Sequence, residues 1–239
     1  MMNLYVGTPG SGKSYNIARK LYHGLRLQRN FICNFPIDLD VISKNGKKKI
    51  GNFIYLKTYD MSPKYFMDYA KNNHVKGKEH QTVIIIDEAS LLFNPQNWRN
   101  KELISWVEFM QLHRHIGYDI ILITQNDRLI NKQIRSFIEN VIIHRKIGNY
   151  KLFGKLLGMF FHGNVFMAVE KWYALPRSPG MGSEMFFLNK KIARIYDTHM
   201  EFTDENEQNN SSITTQVDIQ IDENTSKKKG CIVEVDCGA

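Results

Sequence analysis

A glycine-rich segment near the N-terminus, residues 7–14, fits the phosphate-binding pattern G-x-x-x-x-G-K-[ST]. The apolar residues 3–6 lead into it, and residues 14–28 continue as a plausible helix. In a strand–loop–helix setting, glycines let successive backbone N–H groups face an anion, and the helix N-terminus adds partial positive charge. The segment therefore predicts a nucleotide phosphate site, and it limits the chain to folds in which a strand feeds such a loop.

This pattern gives individual residues a role. Lys13 is expected to reach the β- and γ-phosphates and to act in catalysis, and Ser14 is expected to hold Mg²⁺. The residues expected to contact the nucleotide are Gly7, Thr8, Pro9, Gly10, Ser11, Gly12, Lys13, Ser14 and Tyr15. The glycine spacing does not fit G-x-G-x-x-G, which argues against NAD binding. An ordinary glycine-rich turn is the alternative interpretation.

A second candidate segment is the run of β-branched residues 82–86, which ends in Asp87 and Glu88. Continuous apolar character is typical of a central parallel strand covered on both faces. Ligands bind at the carboxyl ends of such strands. Asp87 is therefore expected to hold Mg²⁺ through its water shell, and Glu88 to act as general base on an attacking water. The alternative is an acidic turn that caps the next helix.

Gln125 follows another buried strand, residues 119–124. We expect it to sense the γ-phosphate and orient the water, by analogy with other water-positioning glutamines. The alternative is an amide that satisfies loop backbone groups.

Strands alternate with helices along the chain, which predicts an α/β fold. The expected architecture is that of a P-loop NTPase, with a central, mostly parallel sheet flanked by helices. The phosphate loop and the Asp87 strand should be near neighbours in the middle of that sheet. The predicted strands are residues 3–6, 31–34, 53–56, 82–86, 119–124, 141–144 and 165–172, and the predicted helices are residues 14–28, 63–73, 102–113 and 131–137.

Charge divides the chain into two parts. The formal net charge is +8, but residues 201–239 hold nine acids and three bases, so residues 1–200 carry +14 and the tail −6. A basic body favours nucleic acid, anionic lipid or an acidic partner, although a lysine-rich surface is also typical of soluble proteins. The acidic tail, rich in Asn and Ser, is predicted to be disordered. We therefore predict a domain at residues 1–200 and a tail at 201–239.

Other sequence features exclude alternatives. The three cysteines lack metal-ligand spacing, and nothing in their placement requires an oxidising compartment. The phosphate loop begins too close to the N-terminus to leave room for a signal peptide. The most apolar stretch, residues 152–168, is too short and too polar to predict a membrane span.

With these motifs, the chain resembles the zonular occludens toxin family of filamentous phage assembly ATPases, the gene I morphogenesis proteins. The resemblance covers roughly residues 1–200 and is carried by residues 7–14, 83–89, 113–125, 134–135, 141–145 and 195–199. It implies an ATP- and Mg²⁺-dependent motor that acts as a homo-oligomeric ring and powers phage extrusion through the host envelope. The implied partners are phage assembly and coat proteins, with single-stranded DNA as a further candidate.

The chain departs from the family pattern at its C-terminus. Family members usually continue into a transmembrane helix and an extracytoplasmic domain, whereas this chain ends in the acidic tail. The implied location is the cytoplasmic face of the host inner membrane, reached through partners or a missing transmembrane segment. Toxin activity is associated with the absent region and is not carried over.

Two arginines are candidates for a finger that reaches a neighbouring subunit's nucleotide, Arg114 and Arg135; structural pairing is the alternative for each. The alternative functions are a small-molecule or nucleoside kinase, a DNA-translocating ATPase not tied to extrusion, and a non-hydrolysing scaffold. Asp87, Glu88 and Gln125 favour water as the phosphoryl acceptor, and no clear kinase lid is present.

Overall fold

A computed structural model describes residues 1–96, 100–147, 165–174, 180–196 and 232–234. Within them, the strands are β1 Met2–Val6, β2 Asn30–Cys33, β3 Phe53–Tyr55, β4 Thr82–Ile86, β5 Tyr118–Thr124, β6 Asn140–Lys146, β7 Val165–Trp172, β8 Gly182–Phe187 and β9 Ile232–Glu234. The helices are α1 Lys13–Arg26, α2 Leu39–Ser43, α3 Pro63–Asn73, α4 Asn100–Leu112, α5 Lys132–Arg135 and α6 Lys190–Ala193. These elements confirm the α/β class.

All nine described strands form one sheet in the order β8-β7-β6-β1-β5-β4-β2-β3-β9. The neighbours in the stretch β6-β1-β5-β4-β2-β3-β9 of this order are all parallel. Only the β6–β7 and β7–β8 pairs are antiparallel. The mostly parallel sheet is thus confirmed. Because β5 lies between β1 and β4, the segments that follow these three strands emerge at one edge of the sheet.

The central strands are buried on both faces. Along β5, Ile121 and Ile123 pack with α1 residues such as Leu21 in one apolar cluster, while Ile120 and Leu122 pack on the opposite face with the aromatic residues of α3 and α4. This explains the continuous apolar run, since both sides of the strand need an apolar side chain.

Local signals set several element bounds. The Ser62 side chain accepts a hydrogen bond from the N–H of Tyr65 at 3.2 Å, and Pro63 is the first residue of α3. The cap and the proline agree with the predicted start of this helix at residue 63. In contrast, α2, β8 and α6 were not predicted, because they are short and carry no clear apolar period.

The C-terminal segment contains a strand that its composition did not indicate. β9 pairs in parallel with β3, opposing Ile232 to Phe53. The other residues of the predicted disordered tail, and the predicted domain boundary at residue 200, lie outside the described residues. The same holds for residues 197–199 of the segment that carries the family resemblance.

Candidate active site

The loop after β1 needs glycine at two positions where other parts of the chain approach closely. Gly7 has a φ of 156°, and a Cβ there would lie 2.6 Å from Ser11 Oγ and 2.7 Å from the His144 carbonyl oxygen. Gly12 has a φ of 94°, and a Cβ there would lie 2.6 Å from Phe166 Cδ1. The loop is therefore packed against β6 and β7, and its shape excludes larger residues at these positions.

The end of the loop leaves backbone donors available to a ligand. α1 begins at Lys13, and its N-cap residue, Gly12, supplies no side-chain hydrogen bond. The first N–H groups of a helix have no intrahelical partner, and they carry the positive end of the helix dipole. An uncapped helix start behind a glycine loop is suited to bind phosphate.

Lys13 is folded back over the loop. Its Nζ donates hydrogen bonds to the carbonyl oxygens of Gly7 at 2.7 Å and Thr8 at 3.3 Å. Burial lowers the pKa of Lys13, and the negative charges of Asp87 and Glu88 act in the opposite direction. The ammonium group is thus held in the electrostatic field of both acids that follow β4.

A side-chain amide fixes the backbone of the acidic segment. Asn34, directly after β2, accepts from the Asp87 N–H at 2.7 Å and donates to the Asp87 carbonyl oxygen at 2.9 Å. The same amide group donates to Thr58 Oγ1 at 2.9 Å. The start of the segment that carries both acids is therefore tied to two neighbouring parts of the chain.

Glu88 adopts a left-handed backbone conformation, with a φ of 46°. This region costs a non-glycine residue roughly 1–2 kcal/mol. The preceding carboxylate supports the turn, because Asp87 Oδ1 accepts from the Glu88 N–H at 2.8 Å. Strained residues that the surroundings hold in place cluster at functional sites.

Strand register brings Gln125 to the phosphate loop. Val6 pairs with Thr124, so Gly7 and Gln125 leave neighbouring strands at the same level. Ile86 pairs with Leu122 on the other side of β5, and the N–H of Ala89 bonds to the Ile123 carbonyl oxygen at 2.9 Å. The three predicted segments therefore meet at the carboxyl edge of the sheet.

These segments surround one cleft of about 730 Å³. Its lining includes residues 9–15, Asp87, Glu88 and Gln125. Gly7 and Thr8 line a neighbouring cavity of about 580 Å³, which Gln125 also borders. The structure thus brings the predicted phosphate, metal and water-handling residues to one place.

Two tyrosines connect the cleft to the C-terminal part of the domain. Tyr15, in the first turn of α1, donates from its hydroxyl to the Phe187 carbonyl oxygen and accepts from the Asn189 N–H, both at 2.8 Å. Tyr196 donates to Asp87 Oδ2 at 2.6 Å. Sequence reasoning included Tyr15 among the nucleotide contacts but gave Tyr196 no role, although the family resemblance pointed to its segment.

The two candidate finger arginines do not line the cleft of their own chain. Arg114 lies before β5, at the amino edge of the sheet, where its Nε donates to Glu79 Oε2 at 3.0 Å. Arg135 Nη1 lies 3.7 Å from Asp127 Oδ2. Within one chain, both therefore match the alternative prediction of structural pairing.

Comparison with known proteins places the chain in a family. The profile of the zonular occludens toxin (Zot) family matches residues 1–164. The chain belongs to the zonular occludens toxin family. This confirms the resemblance noted in the sequence.

Curated relatives of this Zot-family chain include phage gene 1 proteins. It is 26% identical to the Gene 1 protein of Enterobacteria phage I2-2 over 133 residues, which are 52% of this chain and 36% of the relative. The Gene 1 protein of Enterobacteria phage f1 is 26% identical over 129 residues, 51% of this chain and 37% of the relative. The alignments thus span little more than a third of these relatives.

Solved structures show the same fold. The N-terminal domain of zonular occludens toxin from Neisseria meningitidis superposes with a TM-score of 0.50 at 17% identity, covering 82% of this chain and 98% of that one. A second solved structure, an ATPase domain, superposes with a TM-score of 0.53 at 9% identity, covering 82% of this chain and 84% of that one.

Among the described residues, no helix is long and apolar enough to cross a bilayer.

Proposed function

We propose that this protein is an ATP-hydrolysing motor subunit for filamentous phage assembly and extrusion. The observation that carries this proposal is the shared cleft at the carboxyl edge of the sheet, which Lys13, Ser14, Asp87, Glu88 and Gln125 all line. A phosphate loop, an acid pair and a strand-end glutamine in one cleft are the parts that nucleoside triphosphate hydrolysis requires.

Nucleotide binding would use the loop backbone and Lys13. The triphosphate would accept hydrogen bonds from the uncapped N–H groups at the start of α1. Lys13 Nζ would exchange its hydrogen bonds to the Gly7 and Thr8 carbonyl oxygens for phosphate oxygens. The positive charge of Lys13 would then strengthen its hydrogen bonds to the negatively charged phosphate oxygens.

The residues of the cleft also fit a magnesium ion. Ser14 and Asp87 offer a hydroxyl and a carboxylate, the hard oxygen donors that Mg²⁺ takes alongside substrate phosphates and water. When bound, Mg²⁺ would neutralise charge on the β- and γ-phosphates. Asp87 has the fixed backbone that such a ligand requires, because Asn34 bonds to both its N–H and its carbonyl oxygen.

Hydrolysis would proceed by attack of water on the γ-phosphorus. The new bond joins the water oxygen to phosphorus, and the bond from phosphorus to the β,γ-bridging oxygen breaks, so that ADP leaves. Glu88 would accept the proton of the water, and Gln125 would orient that water between the loop and the acid pair. This acid pair and glutamine favour a hydrolase over a small-molecule kinase, which would need an acceptor-binding base in the same cleft.

The wider assignment rests on family membership and charge. We propose that the protein acts as a homo-oligomeric ring at the cytoplasmic face of the host inner membrane, with phage assembly and coat proteins and single-stranded DNA as partners. Arg114, 53% exposed in its side chain, and Arg135 are the residues proposed to reach a neighbouring subunit's nucleotide. A DNA-translocating ATPase not tied to extrusion is the second candidate, favoured by the +14 charge of residues 1–200.

The test compares wild type with Lys13→Ala and with the control Lys47→Ala, a change of an exposed lysine in the turn after α2. Phosphate release and binding of a fluorescent ATP analogue are measured over a range of protein concentrations. We expect Lys13→Ala to lose most of both activities and Lys47→Ala to retain them. Specific activity should rise with protein concentration if the ring is the active form. Unchanged turnover in Lys13→Ala would contradict the phosphate-site assignment, and turnover independent of concentration would contradict the ring.

A further inference from the structure

Tyr196, the last residue of the described stretch 180–196, bonds to Asp87, the first of the two acids that follow β4. Its hydroxyl donates to Asp87 Oδ2 at 2.6 Å, across 109 positions of the sequence. Asp87 Oδ1 already accepts the Glu88 N–H at 2.8 Å. The two hydrogen bonds hold the carboxylate at both oxygens. Because an ionised carboxylate has about four acceptor sites, each oxygen keeps capacity for a further partner such as metal-bound water.

Packing holds the Tyr196 ring in place. The ring lies edge-on to Phe35, with 4.5 Å between centroids and an interplanar angle of 79°. The preceding residue, Ile195, is fully buried, and its carbonyl oxygen accepts from the Asp38 N–H at 3.1 Å. Tyr196 therefore presents its hydroxyl from a fixed position, and the loss of that hydroxyl alone would leave most of this packing intact.

The same stretch of chain reaches the other half of the cleft. We name residues 187–196 the closing segment. At its start, the Phe187 carbonyl oxygen and the Asn189 N–H bond to the hydroxyl of Tyr15, the residue after Ser14. At its end, Tyr196 bonds to Asp87. The closing segment thus contacts the first turn of α1 and the acidic segment, which together carry both proposed Mg²⁺ ligands.

We propose that Tyr196 is a positioning residue for the Asp87 carboxylate and thereby sets the Mg²⁺ affinity of the nucleotide site. The proposal rests on the proposed function, in which Ser14 and Asp87 hold Mg²⁺. A ligand carboxylate that is already oriented has less freedom to lose when the metal binds, and removing such outer partners typically lowers metal affinity about 10- to 100-fold.

A structural role would have a different signature. If Tyr196 only anchored the closing segment, removing its hydroxyl would change folding stability and leave the response to Mg²⁺ unaltered. Tyr173 offers a matched comparison, because its hydroxyl donates to a carboxylate, Asp127 Oδ2, at 3.0 Å. Tyr173 borders the neighbouring 580 Å³ cavity, which is lined by neither Ser14 nor Asp87, so its substitution removes the same type of bond away from the proposed metal site.

The experiment measures Mg²⁺ binding without turnover. The full chain is saturated with a fluorescent, non-hydrolysable ATP analogue, and Mg²⁺ is titrated into wild type, Tyr196→Phe and Tyr173→Phe. We expect the Mg²⁺ concentration at half-saturation to rise about tenfold in Tyr196→Phe, as for the loss of an outer-shell partner, and to stay at the wild-type value in Tyr173→Phe. Affinity for the analogue without Mg²⁺ should be equal in all three.

A double-mutant cycle tests whether the effect passes through Asp87. Asp87→Asn should weaken the Mg²⁺ dependence, and adding Tyr196→Phe should then have little further effect, because contacting residues that act together are non-additive. An unchanged midpoint in Tyr196→Phe, an equal shift in Tyr173→Phe, or additive effects in the cycle would overturn the proposal. If wild type binds the analogue with no Mg²⁺ dependence, the metal role of Asp87 in the proposed function fails as well.

Discussion

The side-chain amide of Asn34 hydrogen bonds to both backbone polar groups of Asp87, the N–H at 2.7 Å and the carbonyl oxygen at 2.9 Å. Asn34 follows β2 and Asp87 follows β4, and these strands are paired in parallel. The amide thus continues the pairing of the two strands beyond their last ladder residues. It fixes the backbone from which the acidic side chains extend into the cleft.

The first prediction concerns this contact. Asn34→Leu removes three hydrogen bonds, two to Asp87 and one to Thr58 Oγ1, and leaves both Asp87 backbone groups without this partner in a partly buried setting. We expect the free energy of unfolding, measured by urea denaturation, to fall by about 2–3 kcal/mol, and phosphate release to slow. The control is Asn73→Ala, at an exposed position in the last turn of α3, with an expected change within about 0.5 kcal/mol. Equal losses of unfolding free energy in the two variants would show that the Asn34 contact stabilises the fold no more than an exposed hydrogen bond does.

The second prediction concerns Glu88, the proposed general base. Glu88→Gln keeps the shape of the side chain but cannot accept the proton. Single-turnover phosphate release should therefore fall about 10²- to 10⁴-fold, while Mg²⁺-dependent binding of the ATP analogue persists. Glu108→Gln is the control, because Glu108 lies at an exposed position of α4 and does not line the cleft. Normal turnover in Glu88→Gln would place the proton acceptor elsewhere.

The third prediction concerns the glycine that ends the phosphate loop. Gly12→Ala introduces a Cβ 2.6 Å from the Phe166 ring at a φ of 94°, whereas Gly46→Ala meets open space at a φ of 76°. Gly46→Ala should cost about 1 kcal/mol of unfolding free energy from backbone strain alone. Gly12→Ala should cost more and should also lose nucleotide binding.

A second substitution isolates the steric part of the Gly12 effect. Phe166→Ala combined with Gly12→Ala should cost less stability than the two single changes summed, because it removes the Cδ1 and Cγ atoms that lie 2.6 and 2.8 Å from the new methyl group. Equal losses for Gly12→Ala and Gly46→Ala would show that contact with Phe166 is unimportant.

The fourth prediction concerns pH. His144 is buried beneath the loop, with Nε2 2.9 Å from Asn16 Nδ2. Burial lowers the pKa of His144 from 6.5 to about 4, and the nearby Lys13 cation adds to the effect. Between these values the unfolded chain binds a proton that the folded chain does not. The free energy of unfolding therefore falls as pH drops from 6.5 towards 4, because protonation of His144 favours the unfolded chain. The loss is at most about 1.4 kcal/mol per pH unit.

The measurement compares unfolding free energies at about pH 7.5 and about pH 5, on either side of the ordinary histidine pKa, by denaturant titration. His144→Gln should reduce the difference that wild type shows, although His74 and His113, whose pKa values burial also lowers, retain their share. His115→Gln, at an exposed position, is the matched control. A wild-type pH dependence that persists in full in His144→Gln would contradict the assignment.

Local patterns explain which parts of the fold were predictable. The apolar runs of β4 and β5 predicted buried parallel strands, because a strand covered on both faces needs apolar residues in succession. The phosphate loop was predictable because its motif lies within residues 7–14, where Gly10 and Gly12 have positive φ values of 72° and 94°. Both signals lie within a few consecutive residues and need no knowledge of distant partners.

The rest of the site depends on contacts between distant residues. Asn34 and Asp87 are 53 positions apart, and Tyr196 and Asp87 are 109 apart, so neither pairing leaves a local pattern. Likewise, β8 follows no clear alternation that its sequence could reveal, since four of its six residues in succession are exposed. The roles proposed for the site residues stay predictions, since they require a bound nucleotide, a metal ion or a neighbouring subunit. These residues are Lys13, Ser14, Asp87, Glu88, Gln125, Arg114 and Arg135.

The left-handed backbone at Glu88 makes the residue that is best for folding stability different from the residue that the proposed chemistry uses. Glycine would adopt the φ of 46° without the steric cost that glutamate bears. The side chain proposed to accept the proton is therefore one that the backbone at this position disfavours. A screen that selects variants of this protein for heat resistance alone would tend to replace this carboxylate, so thermostable candidates should be sequenced at position 88 before any is assayed for ATP hydrolysis.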